Sequence, residues 1–510
     1  VDDRFAYRIV GKAGNRVLGI DEYDNPGAYL GFAAKYQATD ATTVEFLLSY
    51  QDDDPDSPSG VPNGLVGTRS DEDLRDFYFG NDALKYGDRK VLNRGAQVTH
   101  TFDNGWRLVS NTGVTKFDWS YSNLSVGGVT GTDVARTQLL QDEDVTSYAT
   151  DLRLEGSALT GDVLHNLAFG IDASRFEESA LSVFYYGQDS IDFAAPDYSP
   201  ITPVRDGASW YANKNVTVEQ VGIYASDEIE YGHWRAGLAL RHDRNKSEGR
   251  SNTLYTVPGS GGTPGTVDLT RDDSATTGQA SLGYVWDNGV SAYLSYGTSF
   301  QSFAEPGDMG TALDPTTGEQ WEVGAKYLPA TLDAYLSASV YQLEEKNRPV
   351  YVQNGAGGRA YDQVGKSRIR GIELEGRANL ADGWSVTGGY SFTDSEIIGG
   401  DNNGNELGLT PKHTFKLWAS KEIQGGPLAG LTVGAGARFI GERYAFNANA
   451  NQLDSVTLLD AAVSYDFDDG TELQVNVTNL TDEAYVSSVG YFSTYYGDGR
   501  TISATLSKKW

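Results

Sequence analysis

The chain contains no cysteine, a single methionine and only five histidines in 510 residues. Without cysteine there is no disulfide framework and no thiolate metal site. The histidines, His100, His165, His233, His242 and His413, are scattered, and no two have ligand spacing such as H-x-x-x-H. Basic residues are also few: 40 Lys and Arg stand against 70 Asp and Glu, for a net charge of -30. That deficit excludes nucleic acid as a partner, because a phosphate backbone needs clustered cations. It equally excludes a polybasic membrane-surface anchor. Long apolar runs are missing as well. No stretch reaches the roughly 18 apolar residues that a spanning helix needs. No basic-then-apolar leader begins at Val1.

What the sequence does contain is alternation. Ile502, Ala504, Leu506 and Trp510 interleave with Thr501, Ser503, Thr505, Ser507 and Lys509. Lys508 breaks the apolar set beside Trp510, where a long side chain can snorkel. Ile372, Leu374, Gly376, Ala378 and Leu380 interleave with Glu373, Glu375, Arg377 and Asn379. Leu431 to Phe439 and Trp321 to Tyr327 repeat the pattern. A period of two means strands with one apolar face. The apolar faces are rich in Gly, Ala and Val, and the polar faces carry full charges. That division suits a membrane barrel with an oily outside and a wet lumen, which needs no apolar helix.

Connections alternate in length. Short turns are expected at Asp103-Asn104-Gly105, Tyr231-Gly232-His233, Asp287-Asn288-Gly289, Ala381-Asp382-Gly383 and Asp468-Asp469-Gly470. Long polar loops are expected at 52–88, 122–145, 177–214, 247–274, 301–318, 347–363, 397–408, 442–452 and 484–498. Short turns on one side and long loops on the other match periplasmic turns and extracellular loops. Trp106, Trp234, Trp286 and Trp384 each adjoin a short turn and read as an interfacial belt. The pattern predicts about twenty strands, centred near Arg8, Gly31, Glu45, Leu92, Leu108, Thr150, Leu167, Gly222, Gly237, Gln279, Tyr293, Val323, Leu336, Leu374, Gly388, Leu417, Ala435, Ala462, Val475 and Ala504. The expected fold is therefore all-β, a large antiparallel transmembrane barrel spanning residues 1–510.

No nucleophile, base and orienting group stand together, so the chain is not expected to be an enzyme. The acidic stretches Asp52-Asp53-Asp54 with Asp56, and Asp401-Asn402-Asn403 with Asn405 and Glu406, do not fit an EF-hand and read as solvated charge, with no metal site. Aromatic clusters in the loops are the better recognition candidates: Tyr78 and Phe79; Phe184, Tyr185 and Tyr186; Trp210 and Tyr211; Tyr491, Phe492, Tyr495 and Tyr496. Such side chains give a large contact area at low entropy cost, although packing of loop against loop would use them equally well.

Several motifs, in order, resemble the TonB-dependent receptors, and within them the ferric-siderophore group. Tyr293-Leu294-Ser295-Tyr296-Gly297-Thr298-Ser299-Phe300 is similar to a family strand ending in Y-S-x-S-F. Gly318 to Tyr327 is similar to G-x-x-x-E-x-G-x-K, and Arg370-Gly371-Ile372-Glu373-Leu374-Glu375 to R-G-x-E-x-E. Thr410-Pro411-Lys412-His413 matches T-P-K-H, and Asn476 to Tyr485 matches N-x-x-N-L-x-D-x-x-Y. Gly497-Asp498-Gly499-Arg500, running on to Trp510, matches the closing strand.

The resemblance implies a bacterial outer-membrane receptor that takes up a ferric siderophore, with iron present only as cargo and no resident cofactor. It implies a barrel of roughly 22 strands around a plug. The segment Asp3 to Val10 resembles the third family strand, so the N-terminal plug domain and the first hairpin are expected to lie outside this sequence. Implied partners are the siderophore, the lipid bilayer with its lipopolysaccharide, and TonB through that N-terminal region; a monomer is expected. By the same resemblance Phe184, Tyr185, Tyr186, Tyr495 and Tyr496 are siderophore contacts, and Trp210 and Tyr211 join them as loop aromatics. The segment Pro55 to Pro62 lacks the aromatic expected of a ferrichrome contact. The alternatives are a receptor for another nutrient, such as a cobalamin or an oligosaccharide, or a plugless passive channel.

Overall fold

The computed structural model describes all residues except 1–3, 18–19, 21–23, 205–207, 256–264, 303–312, 354–358, 468, 491 and 509–510. The expected positions Tyr491, Asp468, Lys509 and Trp510 therefore lie outside the described residues. One antiparallel sheet of 20 strands makes up the body. In chain order the strands are Phe5–Val17, Asp24–Thr39, Thr42–Asp53, Tyr86–Thr101, Arg107–Thr130, Asp133–Thr160, Val163–Asp192, Trp210–Tyr231, Trp234–Tyr255, Gly265–Val285, Val290–Gln301, Thr316–Tyr327, Asp333–Gln353, Arg359–Asn379, Trp384–Ile398, His413–Glu422, Leu431–Ile440, Val456–Asp466, Thr471–Thr478 and Thr501–Lys508. Every expected strand centre falls inside one of them. Each strand pairs with its neighbours in sequence, which is the simplest up-and-down topology.

Among the described residues, no ladder joins Phe5–Val17 to Thr501–Lys508, so the wall keeps a seam. The two ends of the sheet nevertheless meet. Beyond the wall, Val61–Pro62 pairs with Ser493–Tyr496, which in turn pairs with Val486–Val489. Residues just after the third strand thus touch residues just before the last one. That contact requires the sheet to curl round on itself, as a barrel does.

Alternation sorts the side chains. On Trp234–Tyr255 the residues Trp234, Leu238 and Leu240 face outward and are 48%, 55% and 66% exposed, as suits a surface that lipid covers. Arg241 and Asp243, on the opposite face, meet Asp172 inside: Arg241 lies 2.5 Å from Asp172 and 2.7 Å from Asp243. Tyr224 lies flat over Gly170 and donates to Asp151 at 2.6 Å. The lumen wall is therefore wet, charged and internally paired.

The turns on one side are short, as expected. Gly105 and Gly289 hold φ of 81° and 85°, which only glycine adopts cheaply. Beside them the aromatic belt forms: Trp234 stands 5.0 Å from Tyr284, and Tyr284 stands 4.9 Å from Trp286. Trp106 lies across Gly156. Lys508, the break in the last apolar face, reaches down to Asp469 in the neighbouring turn at 2.7 Å.

On the other side four expected loops need correction. Residues 122–145 are a continuous hairpin, Arg107–Thr130 and Asp133–Thr160, closed by a turn at Gly131 and Thr132. Much of 177–214, 247–274 and 347–363 is likewise strand, up to 30 residues long in Val163–Asp192. Above the bilayer a strand has no oily face to satisfy, so polar residues occupy both faces while the backbone ladder continues. A pattern read from apolar alternation ends where the lipid ends.

Candidate outer binding platform

The stretch 54–85, expected to be a polar loop, is an ordered cap. Ser70 accepts from the Asp73 amide at 3.2 Å and starts the helix Asp71–Asp76, whose first turn is acidic, as the helix dipole favours. Leu74 on this helix is fully buried. With Val61, Leu65 and Phe79 it packs on Val126 and Val134 of the tall hairpin and on Ile191 and Phe193. The Phe193 ring lies 4.7 Å from Phe77 and 6.0 Å from Phe79, and Arg69 covers it at 4.3 Å. Tyr78 stacks on Tyr198 at 5.9 Å and accepts the Tyr198 hydroxyl at its carbonyl.

Arg136 pins this cap. Its guanidinium is 1% exposed, donates to the carbonyls of Phe79 and Gly80 at 3.2 and 2.9 Å, and pairs with Asp189. A buried guanidinium needs this many acceptors to offset its desolvation.

The last loop joins the cap. Arg75 reaches Asp482 at 3.2 Å, and Asn63 donates to the Gly490 carbonyl at 3.2 Å. The Tyr496 hydroxyl donates to Asp71 at 2.7 Å. Burial, and then the Asp71 carboxylate, push the Tyr496 phenol above the usual tyrosine range. The Arg500 amide, helped by Arg75, holds Asp482 below the usual carboxylate range. A cavity of about 130 Å³ remains between the two loops, lined by Asp56, Lys85, Asn81, Asn123, Leu124 and Tyr495 among others.

The expected site residues fall into two groups. Phe184 and Trp210 are register partners with rings 4.9 Å apart, and Tyr186 stands 6.3 Å from Phe184. By alternation these three share the face that carries Asp172 and Tyr224 lower down, and Tyr186 is 41% exposed. Tyr185 and Tyr211 occupy the opposite face. Tyr185 is buried at 7% exposure, and Tyr211 accepts from Asn252 at 3.3 Å. Tyr495, at 36% exposure, and the half-buried Tyr496 form the second group, on the strand that clasps the cap. Tyr496 also packs against the core around Ile191 and Phe193.

The acidic stretches mostly serve contacts within the protein. Asp53 pairs with Arg89, Asp56 with Lys85 at 3.1 Å, and Glu406 with Lys412 at 2.5 Å. Asp52, Asp54 and Asp88 come within 4.8 Å of one another. The cap at 54–85 differs from the polar loop expected there; Ser70 followed by Asp71-Glu72-Asp73, and then Phe77 and Phe79, is the sequence signal of a capped helix with a core to cover.

Comparison with known proteins assigns this architecture. The family described as TonB dependent receptor-like, beta-barrel matches residues 31–480. The ferrioxamine B receptor of Salmonella typhimurium is 29% identical over 92% of this chain, which spans 66% of that receptor. The ferrichrome outer membrane transporter/phage receptor of Escherichia coli is 31% identical over 73% of this chain and 49% of its own length. Among solved structures, the ferric-catecholate import receptor Fiu of Escherichia coli superposes with a TM-score of 0.83 at 21% identity, covering 99% of this chain and 77% of Fiu. The siderophore receptor PiuA of Acinetobacter baumannii gives 0.82 at 21% identity, with 99% and 77% covered. The chain belongs to the TonB-dependent receptor β-barrel family. It is an outer-membrane protein, with its short turns on the periplasmic side. It spans about two thirds of the length of the ferrioxamine B receptor that it resembles.

Proposed function

We propose that this barrel captures a ferric siderophore on its outer platform as part of a TonB-dependent uptake receptor. The observation that carries the reading is the match along 92% of the chain to a ferrioxamine B receptor. The platform suits the task. Phe184, Tyr186 and Trp210 offer clustered rings on the lumen-side face, and Tyr495 offers a partly exposed one. Rigid aromatic surface gives affinity with little loss of rotamer entropy. Iron enters as part of the cargo, and the chain performs no catalysis of its own. Coupling to TonB, and closure of the lumen, belong to the N-terminal region that family members carry. The receptor acts as a monomer, with lipopolysaccharide around its outer rim.

Binding of a panel of ferric siderophores, hydroxamates and catecholates included, read by tryptophan quenching, tests the proposal. Saturable quenching by at least one member is expected. A flat response to every member, in protein that retains its strand spectrum, would contradict it.

A further inference from the structure

The outward face of two adjacent strands is apolar with one interruption each. On Val163–Asp192 it reads Val163, His165, Leu167, Phe169, Ile171 and Ala173 before Arg175 and Glu177. On Trp210–Tyr231 it reads, from the turn upward, Tyr231, Ile229, Asp227, Ala225, Ile223 and Val221 before Glu219. Phe169, Ile171, Val221 and Ile223 are 45%, 46%, 47% and 56% exposed, the mark of a lipid-covered surface. Asp227 sits in register between Leu167 and Leu238, both on that surface. His165 and Asp227 are therefore ionisable groups within the oily band, on its periplasmic half.

The two interruptions meet: His165 Nδ1 lies 2.8 Å from Asp227 Oδ2. The other carboxylate oxygen, Oδ1, is shielded and unpaired, so a group arriving from the lipid meets Oδ2 and the imidazole, on side chains that are 24% and 22% exposed. Nor does Nε2 of His165 have a partner among the described residues. Ionisable groups facing lipid are costly and are kept where they have work to do. Charges in the lumen, by contrast, are paired several-fold around Arg241.

We propose that His165 and Asp227 form a binding site for the headgroup of a periplasmic-leaflet phospholipid bearing a primary ammonium. The ammonium donates to Oδ2 of Asp227 and to Nε2 of His165, which is an acceptor when Nδ1–H donates to Asp227. The site is within reach of headgroups because Tyr231 and Trp234, which lie at the interface, are the next outward residues but one below Asp227 on its own hairpin. A quaternary choline headgroup has no N–H to donate and fits poorly.

Native mass spectrometry of the full chain tests this, in mixed micelles holding equal phosphatidylethanolamine and phosphatidylcholine with matched acyl chains. Wild type is expected to retain phosphatidylethanolamine over phosphatidylcholine by about tenfold. In Asp227→Leu and in His165→Leu, apolar changes that a lipid face tolerates, the ratio falls to about one. Asp227→Asn is the second variant, expected to lose most of the preference while keeping a polar group. An equal ratio in wild type, or an unchanged preference in Asp227→Leu, would overturn the proposal. So would retention of soluble phosphoethanolamine in pure phosphatidylcholine micelles, which would make the ligand a free phosphate ester. A dimer present in wild type and lost in both leucine variants would assign the pair to an interface between copies instead.

Discussion

Tyr496 donates its hydroxyl to Asp71 at 2.7 Å, joining residues 425 positions apart and closing the first outer loop onto the last. With the ladder from Val61 and Pro62 to Thr494 and Ser493, this contact spans the seam of the wall from outside. Tyr496→Phe is expected to weaken the closure by about 1 kcal/mol, the scale of one hydrogen bond to a carboxylate that is partly solvated. Faster proteolytic nicking within 54–85, with the barrel strands still protected, is the expected readout.

The same contact has a pH signature. The folded state raises the Tyr496 phenol above its ordinary value of 10.0, so the protonated form stabilises the closed loops. That stabilisation is fully present below pH about 10 and is lost as pH rises through the folded value. Asp482 has the opposite sign: it is held below 3.8, contributes above that pH, and is lost as pH falls through its folded value. Protease protection of 54–85 is expected to be flat from pH 5 to about 9 and to fall outside that window.

Arg136 is the pin that substitution should damage most. Arg136→Met leaves Asp189 and two buried carbonyls without their donor, at a cost of about 3–5 kcal/mol. Hydrogen exchange is expected to accelerate in 54–85 and near Phe193. Exchange in Thr316–Tyr327, whose ladder neighbours are Val290–Gln301 and Asp333–Gln353, is expected to stay unchanged.

Adjacent tyrosines are expected to behave differently. Tyr186→Ala removes an exposed ring and should weaken siderophore binding about tenfold, with stability unchanged. Tyr185→Ala removes a ring that is 7% exposed and should cost about 3–5 kcal/mol of local stability instead. Binding titrations and thermal melts of the two variants separate the roles.

The transmembrane part was legible in the sequence because lipid imposes a period of two, and Ile372, Leu374, Gly376 and Ala378 obey it plainly. Lys508 and Trp106 were legible too, as a snorkelling cation and a belt residue. The extramembrane part was not. Residues 122–145 carry polar side chains on both faces and form a hairpin all the same, because the ladder is a property of the backbone. Phe184, Tyr185 and Tyr186 look like one cluster in sequence, but strand alternation sends Tyr185 to the face opposite Phe184. The cap at 54–85 is held by Arg136, Asp482 and Tyr496, all distant in sequence, and no local pattern announces such contacts.

Leu240 and Arg241 are neighbours in the chain that the account sends to opposite media, oil and water. Single spin labels at the two positions, in protein reconstituted into bilayers, test it most directly. Label 240 is expected to relax with lipid-dissolved oxygen and label 241 with a water-soluble nickel chelate. If both labels responded to the same reagent, the strand would not be part of a membrane wall, and the account would fail.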